Sequence, residues 1–182
     1  MTNTLKISVF IATSVDGFIA RPDGDVAWLH EGEQLPEGED AGYSDLFNAV
    51  DALVMGRSSF EKVLSFGFWP YEDKPVMVLS KTLTEIPSHL PDVVRVDPAE
   101  PRAFAENCLM RGYKHIYLDG GQVIRSFLRE GLVTEMTITT IPILIGKGIP
   151  LFGDMGRDIG LKLKGSRSWE NGFVQATYQV IP

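Results

Sequence analysis

One cysteine, three histidines and no apolar run long enough to span a bilayer remove several protein classes from consideration. Cys108 cannot close an intramolecular disulfide or supply the cysteine pairs of a structural zinc site, which suits a reducing compartment. It sits in AFAENCLM with no adjacent base or cation, so it reads as an inert buried thiol rather than a nucleophile. His30, His89 and His115 stand at no metal-ligand spacing, and no metal is expected. Basic residues are outnumbered, 17 Lys and Arg against 24 Asp and Glu, for a formal net charge of −7. That balance disfavours nonspecific attraction to nucleic acid or an anionic membrane surface. The opening MTNTLKISVFIATSVDGF lacks the charged-then-apolar layout of a secretory signal, so a cytoplasmic protein with no membrane partner is expected. GxxxxGK[ST] and GxGxxG are also missing, which argues against a P-loop nucleotidase and the usual Rossmann dehydrogenase.

What is present describes an ordinary globular chain. Its 182 residues are 44% hydrophobic and 23% charged, enough for a single domain over 1–182 with one large core. Ile7 to Thr13 reads as a buried β-branched strand. Glu31 to Asp40, acidic and rich in Gly and Pro, reads as a solvated loop. A helix over Tyr43 to Val50 feeds a strand at Asp51 to Met55, and Gly56-Arg57-Ser58-Ser59 then forms a tight turn into a further helix. Strands at Pro75 to Leu79, Val93 to Val96 and His115 to Leu118 alternate with helices at Ala99 to Arg111 and Gln122 to Glu130. After Gly131 the pattern becomes β-rich, Thr134 to Ile141 first, then two strands around Asn171-Gly172, the pair that a type I′ hairpin turn prefers. The expected architecture is α/β: a mostly parallel central sheet with helices on both faces and a C-terminal antiparallel hairpin.

Three of the strands end in short polar or glycine-bearing turns: Gly56-Arg57-Ser58-Ser59, Ser80-Lys81-Thr82 and Gly120-Gly121-Gln122. Open α/β sheets bind ligands outside the carboxyl ends of their strands, where helix N-termini offer unpaired N–H groups to phosphate oxygens. Gly56, Gly120 and Gly121 would let backbone approach a pyrophosphate, and Arg57 and Lys81 concentrate positive charge in an acidic protein. A dinucleotide fits three such turns better than a mononucleotide. A separate Ser-Lys-Thr group suits the 2′-phosphate of NADPH.

With those turns, the strings IATSVDGFIA, VMGRSSFE, VLSKT, IYLDGGQVIRSFL and IPILIGKGIPLFG resemble the dihydrofolate-reductase-like superfamily, nearly end to end. Within it the chain resembles the reductase domain of the bifunctional riboflavin-biosynthesis deaminase/reductase. The resemblance implies a three-layer fold and hydride transfer from NADPH. It implies that Ala12 meets the nicotinamide carboxamide through its backbone, and that Gly56, Arg57 and Ser58 hold phosphates. By the same token Ser80, Lys81 and Thr82 would flank the 2′-phosphate, Gly120, Gly121, Gln122, Val123 and Ile124 the pyrophosphate, and the loop from Gly146 to Phe152 would border the substrate. Neither His-x-Glu nor Pro-Cys-x-x-Cys, the zinc-deaminase signature, occurs, so the chain corresponds to the reductase half alone.

An acid that polarises the acceptor is sought in the loop after the first strand. Asp16 in SVDGF reads either as that acid or as a turn residue before Gly17. Asp25 in DVAWL reads either as the acid of a dihydrofolate-reductase helix or, preferably, as a helix N-cap. Of Trp28, Phe66, Phe68, Trp69 and Tyr71, Trp28 is the one expected to stack a planar substrate, with Phe152 contributing from the later loop. The expected function is NADPH-dependent reduction of a pyrimidine- or pterin-like heterocycle, resembling 5-amino-6-(5-phosphoribosylamino)uracil reduction. Dihydrofolate reduction and a non-catalytic nucleotide-binding module are the alternatives. A homodimer is expected, paired through the β-rich C-terminal part.

Overall fold

Strands whose residues are apolar at every position can rest only where both faces of a sheet are covered. In the computed structural model, which describes residues 4–181, that is where the first half of the chain places them. The strands in chain order are β1 (Lys6–Ser14), β2 (Phe18–Ala20), β3 (Ala52–Gly56), β4 (Val76–Leu79), β5 (Val94–Asp97), β6 (His115–Asp119), β7 (Glu135–Ile141), β8 (Ile149–Pro150), β9 (Leu161–Ser168) and β10 (Val174–Val180). The α-helices are α1 (Tyr43–Ala49), α2 (Arg57–Leu64), α3 (Pro101–Met110) and α4 (Gly121–Arg129). Eight strands make one sheet in the order β5-β4-β3-β6-β1-β7-β10-β9. It is parallel from β5 to β7 and antiparallel from β7 onward, as the alternating strand-helix pattern and the terminal hairpin predict.

The two-residue side-chain period divides the core between two faces. Val54, Ile116 and Leu118 pack beneath Phe104 of α3 and Ile124 and Phe127 of α4. Leu53, Met55 and Val78 pack on the opposite face against Phe60 and Val63 of α2, with Leu46 and Phe47 of α1 beside them. Cys108 belongs to the first cluster, and burial pushes its thiol up to about 11. Residues 31–40 carry no regular element and are largely exposed. Asp40 at their end accepts the Gly42 and Ser44 N–H groups at 2.8 Å each and so fastens the start of α1.

Four local readings change. No turn separates β3 from α2, because Gly56 ends the strand and is itself the helix N-cap. Only Gly172 of the Asn171-Gly172 pair has positive φ. Its N–H donates to the Trp169 carbonyl, and Trp169 N–H to the Phe173 carbonyl, both at 3.0 Å, so the hairpin closes through a longer loop than a two-residue type I′ turn. The stretch after Ile141 contains β8, which pairs antiparallel with β2 as a second small sheet. Two- and three-residue strands are too short to leave a periodic signal.

The fourth change is Trp28. It lies in a single 3-10 turn, Ala27–Leu29, and is fully buried against Ile141 and Phe173. Its ring closes a small third core cluster instead of facing a ligand.

Phe127 tests the larger core. It is fully buried and meets Phe104 edge-to-face, with centroids 6.1 Å apart. Phe127→Ala should cost about 3–5 kcal/mol, read as a lower denaturant midpoint at unchanged slope.

Candidate active site

Because β1, β6 and β3 are adjacent and parallel, their carboxyl ends open side by side on one edge of the sheet. There they border a cavity of about 390 Å³. Its floor is Phe10, Ile11 and Ala12 of β1 with Gly56 of β3 and Asp119 of β6, and the first turns of α2 and α4 supply Ser58, Ser59, Gly121, Gln122 and Val123. Ile19 and Ala20 of β2 with Ile149 of β8 make one wall, and Val63, Phe66 and Tyr71 the other. A second cavity of about 420 Å³ is lined by Arg57, Ser80, Lys81, Thr82 and Glu100. Gly56, Ser58, Gln122 and Val123 line both, so the two are halves of one trough.

The middle of the trough is built from backbone. Neither α2 nor α4 has a side-chain N-cap, so the N–H groups of both first turns are open to a ligand's oxygens. Gly120 sits at φ +87°, and a methyl group there would strike the Ser59 hydroxyl. A methyl on Gly56 would come 3.3 Å from Val123 Cγ2. Such a cradle of uncapped helix starts and side-chain-free backbone fits a pyrophosphate. At the far end Arg57 donates to Glu61 at 2.6 Å and to the Thr82 hydroxyl at 3.2 Å. Lys81 pairs with Glu100. Both partners of that pair are 70% exposed, and a surface pair of this kind is weak enough for a phosphate to displace.

Asp119 is a cavity-lining carboxyl that sequence reading passed over. At the carboxyl end of β6 it touches the cavity on one side and is enclosed by protein on the others. Burial raises its carboxyl above the ordinary range, opposed by a hydrogen bond from the Gly120 N–H. Three tyrosines share its surroundings. Burial first, and Asp119 second, push the Tyr43 hydroxyl up to about 12 and those of Tyr71 and Tyr117 higher still. The Tyr117 hydroxyl donates to the Phe10 carbonyl at 2.9 Å. A carboxyl whose pKa is raised at the floor of an apolar cavity is placed to exchange a proton with a bound molecule.

The two carboxylates singled out from the sequence do other work. Asp16 accepts the Gly146 N–H at 2.7 Å and the Ile145 N–H at 3.3 Å. The Ser14 hydroxyl and those two N–H groups hold it below the ordinary carboxylate range, and it lies outside the cavity lining as a clamp on that loop. Asp25 stands at the rim, 3.9 Å from both Arg21 and Lys62, and accepts the Ala27 N–H at 3.3 Å. The N-cap of the turn that follows is Val26, so Asp25 is neither the acid of a long helix nor a true cap. Phe152 also leaves the site. Leu151 before it is buried in the core, and Phe152 emerges in a different cavity with Leu128, Met136 and Arg157. Ile149 is the residue of that loop that reaches the trough. Ala12, Gly56, Arg57, Ser58, Ser80, Lys81, Thr82, Gly120, Gly121, Gln122 and Val123 all line it, whereas Ile124 lies in the core beneath. Of the other aromatics, Phe66 and Tyr71 face the cavity.

Residues 5–175 match the model of the RibD C-terminal domain. Uncharacterized protein YwjB of Bacillus subtilis is 36% identical over 167 residues, 90% of this chain and 92% of that protein. A Shewanella sp. PV-4 structure, assigned provisionally to riboflavin biosynthesis, superposes with a TM-score of 0.92 at 40% identity over 98% of this chain and all of that one. The Thermotoga maritima diaminohydroxyphosphoribosylaminopyrimidine deaminase/5-amino-6-(5-phosphoribosylamino)uracil reductase shares the fold, with a TM-score of 0.71 at 16% identity. That likeness covers 98% of this chain and 57% of the Thermotoga chain.

The raised carboxyl has a signature in stability. A group protonated more readily in the folded state stabilises the fold below its unfolded pKa, and that contribution is lost as pH rises through the folded value. Asp119→Asn should therefore gain stability over the wild type as pH increases above 3.8, the ordinary value for this carboxyl. Thermal melts of both proteins from pH 5 to pH 8, about the range in which the fold is stable, check the sign.

Proposed function

The chain belongs to the RibD C-terminal domain family, and from that premise we propose that it is an NADPH-dependent reductase working on a planar nitrogen heterocycle in the cytoplasm. Its fold is that of the riboflavin-pathway reductases. The observation that carries the reading is the continuous trough, which joins an apolar cavity, with a carboxyl of raised pKa at its floor, to a cationic end across two uncapped helix starts.

NADPH, when bound, supplies a hydride from its nicotinamide ring. The protein's own part is to bind, orient and exclude water. The first-turn N–H groups of α2 and α4 take the pyrophosphate, with Gly56 and Gly120 giving it room. Ser80, Lys81, Thr82 and Arg57 surround the 2′-phosphate. Ser80 is preorganised for this, its oxygen accepting the Thr82 and Leu83 N–H groups at 3.2 and 2.9 Å. Ala12, at the cavity floor, would hold the carboxamide through its backbone. Phe10, Val63 and Phe66 line the cavity beside it and would exclude water from the acceptor. Asp119 would hold a proton at the acceptor nitrogen, and solvent would restore it after turnover.

Fluorescence titration with NADPH and with NADH tests the cofactor site. NADPH should bind more tightly, and Lys81→Ala should weaken it by about tenfold, or about 1.4 kcal/mol, while leaving NADH unaffected. Equal binding of the two nucleotides, or none, would remove the reading. Under single-turnover conditions with a heterocyclic acceptor, Asp119→Asn should slow hydride transfer by about 10²–10⁴-fold without losing NADPH affinity.

A further inference from the structure

One face of α2 supplies a wall of the cavity. Ser58, Ser59, Lys62 and Val63, with Phe66 just past the helix end, all line it, at the spacing that stacks residues of successive turns on one side of a helix. Ser58 and Ser59 belong to the uncapped first turn, and Lys62 stands one turn further along. Among the described residues that line this cavity Lys62 is the one cation. Arg57 and Lys81 serve the other end of the trough.

The turn after β2 faces Lys62 across the opening, and Gly24 and Val26 of that segment line the same cavity. Arg21 N–H donates to the Asp25 carbonyl at 2.8 Å, Gly24 N–H to the Arg21 carbonyl at 2.9 Å, and Asp25 N–H to Asp23 Oδ1 at 3.0 Å. So fixed, the turn sets the Asp25 carboxylate between two cations, 3.9 Å from Arg21 and 3.9 Å from Lys62. Both gaps are too long for a hydrogen bond. The Asp25 and Lys62 side chains are 38% and 36% exposed, so the pair adds little to the fold. No described residue accepts a hydrogen bond from the Lys62 ammonium group, whose three donors stay open beside the cavity. An anion that reached them at about 2.8 Å would make the charge-assisted hydrogen bonds that Asp25 does not.

Resting on the reductase reading above, we propose that Lys62 is a specificity-determining residue of the substrate half: it takes an anionic group carried on the acceptor's substituent, and Asp25 is the internal anion that the ligand displaces. The ring occupies the cavity floor beside Phe10 and Asp119, and its substituent runs out along α2 to the opening. Asp25 holds the ammonium group there until the ligand arrives. Once displaced it keeps Arg21 as a partner, so the exchange leaves no carboxylate without a cation. A phosphate and a carboxylate share the chemistry that Lys62 recognises.

The test uses three ligands that differ at one end: 5-amino-6-(ribitylamino)uracil, its 5′-phosphate, and the acid made by oxidising the ribityl terminus. Each is titrated calorimetrically into the full-length protein saturated with NADP⁺. The wild type should bind at least one of the two anions about tenfold more tightly than the neutral compound, and which anion gains identifies the group the site takes. Lys62→Gln should abolish that advantage while the neutral compound binds as before. Asp25→Asn, which removes the competitor, should strengthen the same anion by about twofold to fivefold, the worth of an exposed ion pair. The proposal is overturned if the wild type binds all three alike or none of them, if the advantage survives Lys62→Gln, or if Asp25→Asn weakens the anion. A loss of NADPH affinity in Lys62→Gln would assign the cation to the cofactor and overturn it as well. Failure of the underlying reading shows separately, as absence of nucleotide binding by the wild type in the NADPH and NADH titrations.

Discussion

β6 lies between β3 and β1 and runs parallel to both, a placement that brings Ser14, Gly56 and Asp119 to the same edge of the sheet. Parallel neighbours require crossovers, and the chain leaves both β3 and β6 through a helix. The helices after β3 and β6 begin at that edge, so each delivers the positive end of its dipole to the trough. The register is pinned at the opposite edge. The Asp51 carboxylate accepts the Lys114 and His115 N–H groups at 2.7 and 2.9 Å, and the Ser8 hydroxyl meets His115 Nε2 at 2.8 Å. With the strand starts held, Met55 faces Asp119 across the β3–β6 pair, and the cavity floor takes its position from groups at the far ends of the same strands.

The carboxylates divide by the sign of their shift. Asp16, Asp40 and Asp51 each accept backbone N–H groups and are held below the ordinary range. Ionised, they fasten a loop, a helix start and a strand start. Asp119 is shifted upward by burial, and the fold gives up stability at neutral pH to keep it there. That opposition is expected where a group is retained for chemistry instead of packing. It also explains the tyrosines around Asp119. They lie close enough to Asp119 to feel its charge, and Tyr117 spends its hydroxyl on the Phe10 carbonyl, which leaves the Gly120 N–H as the hydrogen bond that opposes the shift of Asp119.

Most of the trough was legible in the sequence because strand-end turns leave local marks. Glycine at a strand end, followed by a helix, is a short-range pattern, and Gly56-Arg57-Ser58, Ser80-Lys81-Thr82 and Gly120-Gly121-Gln122 all line the cleft. The parallel sheet was legible for the same reason, since strand and helix alternate over long, periodic segments. The substrate half was not, because it is assembled from long-range contacts. Asp119 reads locally as the first residue of a turn, and its burial depends on Tyr43 and Tyr71 arriving from distant parts of the chain. Trp28, beside a conspicuous acidic loop, reads as an aromatic that stacks a planar substrate until Ile141 and Phe173 enclose it. The one available mark was the carboxyl directly before Gly120-Gly121 at a strand's end, where the open-sheet rule already places a ligand.

Asp16 shows why a prominent motif need not touch the ligand. The segment from Pro142 to Asp154 forms one wall of the cavity through Ile149, yet two-residue β8 cannot hold it alone. Asp16 fixes it at Ile145 and Gly146, and β2 pairs with it at Ile149 and Pro150. The Gly17 carbonyl accepts from Leu151 N–H, Arg125 of α4 donates to the Pro150 carbonyl at 2.6 Å, and Arg129 to the Asp154 carbonyl at 2.8 Å. The helix whose first turn lines the trough thus also carries, one turn and two turns further on, the guanidinium groups that anchor the wall containing Ile149. Cofactor cradle and substrate wall are set by one rigid element, and the spacing between them is independent of any side chain inside the cavity.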